Sequence, residues 1–177
     1  MDPIAKARSR LWATAPEKLR SVPMFALAIA TFGFLGLSPV ASGTVGSAAA
    51  AALYYFLPFL QNNWWLVTAI IFATAIGAVC TDIVELKTGE HDPGIVVIDE
   101  VLGQWIALIS FAYKGDIIFI VLAFVFFRIF DIIKPYPARI FERSSGGTAV
   151  MLDDVVAGIY ANIAAHLAMW AYVVWIR

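Results

Sequence analysis

Apolar residues in this chain come in long unbroken stretches separated by short polar ones. Five stretches, at 45–60, 64–80, 95–113, 116–133 and 155–176, approach the ~20 residues that cross a bilayer as a helix. A sixth, 24–37, is shorter and meets Ser38-Pro39. Runs of ~10–14 residues more often re-enter a membrane or lie at its surface than cross it. The pattern predicts an all-α, multi-spanning helical membrane protein. It should have about five transmembrane helices plus a short re-entrant or interfacial N-terminal helix. Residues 1–23 form a polar leader and 24–177 a single helical membrane domain. The alanine tract 48–52 reads as close helix packing.

The polar connections orient this arrangement. Gln61-Asn62-Asn63 and Lys114-Gly115-Asp116 are short and carry no net charge. The segments 81–94 and 134–154 are longer, and the second holds Lys134, Arg139 and Arg143. The leader sets Lys6, Arg8, Arg10, Lys18 and Arg20 against Asp2 and Glu17. Basic residues gather on the cytoplasmic side, so the leader, 81–94 and 134–154 are expected there. Reading 24–37 as re-entrant puts 38–44 on that side as well. A span would send the cluster at 42–47 to the opposite side from the others.

Composition agrees. Of 177 residues, 62% are hydrophobic and 14% charged, against about a quarter charged in soluble domains. The net charge of −1, with no basic stripe beyond the N-terminus, argues against a nucleic-acid partner. One cysteine, Cys80, excludes an internal disulfide.

Four polar clusters stand out against this background. Arg128, Asp131 and Lys134 are three residues apart, on neighbouring turns of one helix face. Pro135 and Pro137 should end that helix near Lys134, which puts the ladder at the membrane surface. Its bland reading is mutual neutralisation, but ionisable residues in such a run are functional candidates. Asp99 and Glu100 lie about a turn inside an apolar run, with no basic residue near them in sequence. A helix N-terminus favours negative charge, which suits positions 94–97 better than these two. Asp92, before Pro93-Gly94, reads as a turn or cap residue. Asp153-Asp154 opens the last apolar helix, where one of them should cap. Thr44 and Ser47 stand at a helix start with Gly43 and Gly46, and such a start is an anion site.

Together these clusters offer carboxylates, an Arg, a Lys and a helix start with small hydroxyl residues. Mg²⁺ takes one or two carboxylates, water and substrate phosphate. Arg offers phosphate a bidentate fork and Lys a point charge. Phosphoryl chemistry asks little of a protein beyond positioning and charge neutralisation. Other phosphatase routes are missing. Cys80 has Leu86, not Arg, six positions on, and no Asp-x-Asp-x-Thr occurs. His91 and His166 lack the contexts of histidine-nucleophile lipid phosphatases, and His166 reads as a packed histidine of the last helix.

The stretches "SGTVGS", "DPGIVVIDEVLGQW", "FRIFDIIKPYP" and "GGTAVMLDDVVAG", in this order and spacing, closely resemble the phosphatidylglycerophosphatase A family over residues 24–165. The resemblance implies a Mg²⁺-dependent enzyme of the bacterial cytoplasmic membrane, its site facing the cytoplasm. Its reaction would be hydrolysis of phosphatidylglycerophosphate to phosphatidylglycerol and phosphate. The matching motif positions are Thr44, Ser47, Asp92, Asp99, Glu100, Arg128, Asp131, Lys134, Asp153 and Asp154. On this footing Asp99, Glu100, Asp131, Asp153 and Asp154 are the expected catalytic metal ligands, direct or through water. Thr44, Ser47, Arg128 and Lys134 are expected to hold the phosphate. The nucleophile is then a metal-activated water, with an aspartyl-phosphate route as the alternative. Ser42 stands where the family usually has Pro, and Ala149 where it tends to have Gly; both are backbone-shaping positions, so these departures bear on loop geometry more than on chemistry. Two other classes fit less well. A CDP-dependent lipid phosphotransferase needs DG-x-x-AR and a downstream G-x-x-x-D, which are absent. An ion-coupled transporter places its acids near the midplane and often carries inverted repeats, whereas these acids lie near one face.

Overall fold

A computed structural model describes residues 17–142 and 146–175. The basic residues Lys6, Arg8 and Arg10 of the leader, and Arg143, lie outside the described residues. Eight α-helices follow in order among those described: α1 Glu17–Arg20, α2 Met24–Ala30, α3 Ser42–Phe56, α4 Asn63–Thr88, α5 Ile98–Ala107, α6 Ile117–Ile133, α7 Ala138–Glu142 and α8 Gly147–Trp175. Two 3₁₀ turns, Leu35–Leu37 and Pro58–Gln61, join them, and no strand occurs among the described residues. The fold is all-helical, as expected.

Helix α8 is the axis. It packs against α5 and α6 most extensively and also meets α4 and α7, while α3 lies on α5. Small residues let the backbones approach. A Cβ on Gly158 would meet the Gly103 carbonyl oxygen at 2.5 Å, and one on Gly103 would meet the Asp154 carbonyl oxygen at 2.7 Å. Around this seam Leu102, Leu108, Phe119, Phe127, Met151 and Met169 are fully buried. The alanine tract packs as expected at Ala50 and Ala51, both buried, and the Ala50 carbonyl accepts from Trp105 Nε1 at 3.2 Å.

Among the described residues, two helices are long and apolar enough to cross a membrane: α4, mean hydropathy 2.1 over its best window, and α8, 1.3. Helices α3 and α6, with 15 and 17 residues, reach ~22 and ~25 Å. The largest departure from the expected spans is at 95–113. Only ten of those residues, Ile98–Ala107, are helical, about 15 Å of rise. Their apolarity reflects burial among neighbouring helices, since all but Glu100 and Ile106 are buried. The short sixth run behaves as expected for length: α2 stops at Ala30, and Phe32, Gly33 and Phe34 take left-handed conformations.

Helix ends differ from the apolar boundaries. Helix α4 runs on through the polar 81–88, and α8 begins at Gly147, eight residues before its apolar run. Hydropathy marks where the chain stops being apolar, whereas a helix continues as long as its amides pair along it. Two other helix starts are capped locally. The Asn62 side chain accepts from Trp64 N, and that of Asp116 from Ile118 N and Phe119 N. Helix α6 ends at Lys134, left-handed with φ 47° and its N–H on the Phe130 carbonyl at 2.8 Å, as the two prolines require.

Candidate active site

The sequence clusters converge at one end of the bundle. They sit at the N-terminal turns of α3 and α5, the C-terminal turn of α6 and the early turns of α8. Asp99 and Glu100 occupy the first turn of α5. That turn begins later than the apolar run suggested, so the helix dipole does favour both carboxylates. Asp153 and Asp154 lie six and seven residues inside α8. Neither caps the helix, contrary to the capping expectation. The acceptor for the first turn of α8 comes from α4, where Asp82 Oδ1 receives Gly147 N–H at 2.6 Å.

At the centre, carboxylate oxygens of Asp99, Glu100 and Asp154 lie within 4.8 Å of one another. Asp99 and Asp154 are buried, 7% and 3% exposed. Asp99 Oδ1 and Glu100 Oε2 are buried with no hydrogen-bond partner among the described residues. Three carboxylates this close repel strongly in a poorly solvated site, and orphaned buried oxygens cost about 1–3 kcal/mol each. A cation removes both penalties. The donor set suits a hard one, because oxygen ligands are what Mg²⁺ and Ca²⁺ take.

Around this centre the remaining charges are paired. Arg128 Nη1 meets Asp131 Oδ2 at 2.7 Å and Lys134 Nζ meets Asp153 Oδ2 at 2.8 Å. The ladder is therefore not self-contained, since Lys134 reaches across to α8. Ser47 is buried; its hydroxyl donates to the Gly43 carbonyl at 2.8 Å and accepts from Arg128 Nη1 at 3.3 Å. So Ser47 orients the guanidinium. Thr44 is half-buried on the first turn of α3. Gly43 is packed under the centre: a Cβ there would collide with Glu100 Oε1 and stand 3.4 Å from Arg128 Nη1. Asp92, left-handed at φ 46°, lies near enough to Asp99 and Asp153 to act on both electrostatically.

Two residues escaped the sequence reading because 81–94 was read as a connection. Asp82 and Glu85 are on the last turns of α4, and Glu85 Oε1 accepts Asp92 N–H at 2.8 Å. Their three-residue spacing was the available signal. His166 is packed as expected, with Nδ1 2.9 Å from the Asn162 carbonyl oxygen and Nε2 3.1 Å from Ser110 Oγ.

The family described as phosphatidylglycerophosphatase A matches residues 28–169. A putative phosphatidylinositol-3-phosphatase of Bacteroides thetaiotaomicron is 39% identical over 140 residues, covering 76% of this chain and 87% of that protein. The phosphatidylglycerophosphatase A of Escherichia coli K12 is 39% identical over 155 residues, 86% of this chain and 83% of that protein. That of Haemophilus influenzae is 38% identical over 134 residues, 72% and 78% respectively. No solved structure matches the chain.

Proposed function

The chain belongs to the phosphatidylglycerophosphatase A family, and from that premise we propose how it acts as a membrane phosphatase. It is a phosphoric monoester hydrolase that converts phosphatidylglycerophosphate to phosphatidylglycerol and phosphate, with Mg²⁺ as cofactor. The observation that carries the site is the set of converging carboxylates of Asp99, Glu100 and Asp154, two of whose oxygens have no partner among the described residues. They would hold the divalent cation. When bound, that ion supplies charge neutralisation for the phosphate and acidifies a water for attack.

The protein's own groups do the rest. Arg128 and Lys134 exchange Asp131 and Asp153 for phosphate oxygens, the guanidinium giving a fork and the ammonium a point charge. Ser47 keeps Arg128 aimed during that exchange. Asp131 and Asp153 hold the two cations before substrate binds, and would reach a bound cation through water, because each already faces a cationic side chain. Thr44, with the first N–H groups of α3, takes a further phosphate oxygen. Asp92 adds a further negative charge beside Asp99 and Asp153.

Helices α4 and α8 cross the membrane, and α3 and α6 cross with them. All four bring their site-bearing ends to one side, which supports a site on a single, cytoplasmic face of the bacterial inner membrane. The K/R distribution argues for 81–94 and 134–154 on that face, and the re-entrant reading of 24–37 puts 38–44 there too. Phosphate release from phosphatidylglycerophosphate by purified protein tests the whole reading. EDTA should abolish release and Mg²⁺ should restore it; full activity after exhaustive chelation sinks the metal role. Phosphatidylinositol 3-phosphate serves as the comparison substrate, and preference for it would reassign the headgroup.

A further inference from the structure

Helix α4 supplies none of the motif residues, yet two of its carboxylates reach the segments that carry them. Asp82 Oδ1 accepts the N–H of Gly147, the first residue of α8, at 2.6 Å. Glu85 Oε1 accepts the N–H of Asp92 at 2.8 Å and lies 2.9 Å from His91 Nδ1. Three residues apart, the two side chains stand on one face of the last turns of α4. We propose that Asp82 and Glu85 are positioning residues, a bracket that sets α8 and the 91–97 segment in register so that Asp154 meets Asp99 and Glu100. The proposal rests on the reading of those three carboxylates as the metal site.

The physical argument has two arms. The first N–H groups of a helix have no partner within it, and an acidic acceptor there is favoured by the dipole as well. Asp82 supplies that acceptor from another helix, so the bond fixes where α8 starts relative to α4. Gly147 and Asp154 are seven residues apart, two turns on the same face, so the anchor transmits directly to the carboxylate. Close packing reinforces it: a Cβ on Gly147 would collide with the Ala78 carbonyl. The second arm holds Asp92 in its left-handed conformation, which costs a non-glycine residue about 1–2 kcal/mol. Glu85 offsets that strain by accepting the Asp92 amide. The segment then runs on through Val97 N–H on the Ala30 carbonyl at 2.9 Å into α5.

Alanine and amide variants separate this role from general stability. In Asp82→Ala and Glu85→Ala the acceptor is gone; in Asp82→Asn and Glu85→Gln an acceptor oxygen of similar reach remains. Mn²⁺ binding to the purified full-length chain in detergent, followed by electron paramagnetic resonance, gives one readout. The Mg²⁺ concentration for half-maximal phosphate release gives the other. Each alanine variant should weaken Mn²⁺ binding and raise the half-activating Mg²⁺ by about tenfold or more, and the amide variants should recover most of the loss. Alanine variants that bind Mn²⁺ like the wild type overturn the bracket, as do amide variants no better than alanine. A wild-type chain that binds no Mn²⁺ overturns the metal reading instead. The same alanine-versus-amide contrast in kcat then decides the bracket by itself.

Discussion

Helix α5 joins two polar clusters, each partly buried, with opposite character. At its N-terminal end Asp99 and Glu100 meet Asp154, and two oxygens of this set are unpartnered among the described residues. At its C-terminal end the carbonyls of Ile106, Ala107 and Ile109 lie 3.2, 3.0 and 2.7 Å from Asn162 Nδ2. There His166 closes on Ser110, whose hydroxyl also accepts Tyr113 N–H at 3.1 Å. Along α8 the clusters are 12 residues apart, from Asp154 to His166, or ~18 Å. The far cluster holds no carboxylate and its groups bond to one another; the near one gathers three carboxylates with unpartnered oxygens. Burial alone does not distinguish function from structure. Satisfaction does.

The largest effect should separate the two ends outright. Asp99→Asn and Asp154→Asn keep the side-chain shape but remove the charge. Each should slow phosphate release more than about 100-fold, or ~2.7 kcal/mol of transition-state stabilisation. Relieved of mutual repulsion, both variants should melt no lower than the wild type. Near-normal turnover in both would place the chemistry elsewhere. Asp153→Asn sharpens the point with a smaller loss, since Asp153 is paired with Lys134 and lies outside the central trio.

Gly43→Ala comes next. The added methyl lands on Glu100 Oε1, displacing that carboxylate, and a 1 Å misplacement can cost up to about 100-fold in rate. Measured kcat should fall while expression holds. Unchanged kcat would show that Glu100 moves freely and is not held by α3. The smallest effect on rate belongs at the far end. Asn162→Leu leaves carbonyls of α5 without their amide donor, so unfolding in denaturant should come earlier by about 1–3 kcal/mol, with kcat close to wild type. A large loss of rate without loss of stability would break the contrast between the two ends.

Much of this was legible from the chain. The spacing of Arg128, Asp131 and Lys134 and the prolines that stop α6 are local, so sequence displays them directly. The all-helical class follows from the apolar runs. What could not be read was which charge answers which. Lys134 turns to Asp153 and Asp99 is left facing Asp154 because of how α8 lies against α5 and α6, a matter of glycine contacts far apart in sequence. The short α5 was hidden for a related reason. A helix buried by protein and a helix buried by lipid have the same composition, so the run at 95–113 promised a span and delivered ten residues.

The Asn162 contact also imposes an order in time. The carbonyls it serves precede it by 53 to 56 residues, so they are synthesised well before their donor exists. Synthesis proceeds from the N-terminus, and α5 emerges with its lower end open. Its upper end likewise lacks Asp154 until α8 arrives. One late helix therefore supplies the partners at both ends of α5. A truncation within α8 that spares Asp154 but removes Asn162 would keep every acid of the site while leaving unfinished the helix that presents two of them.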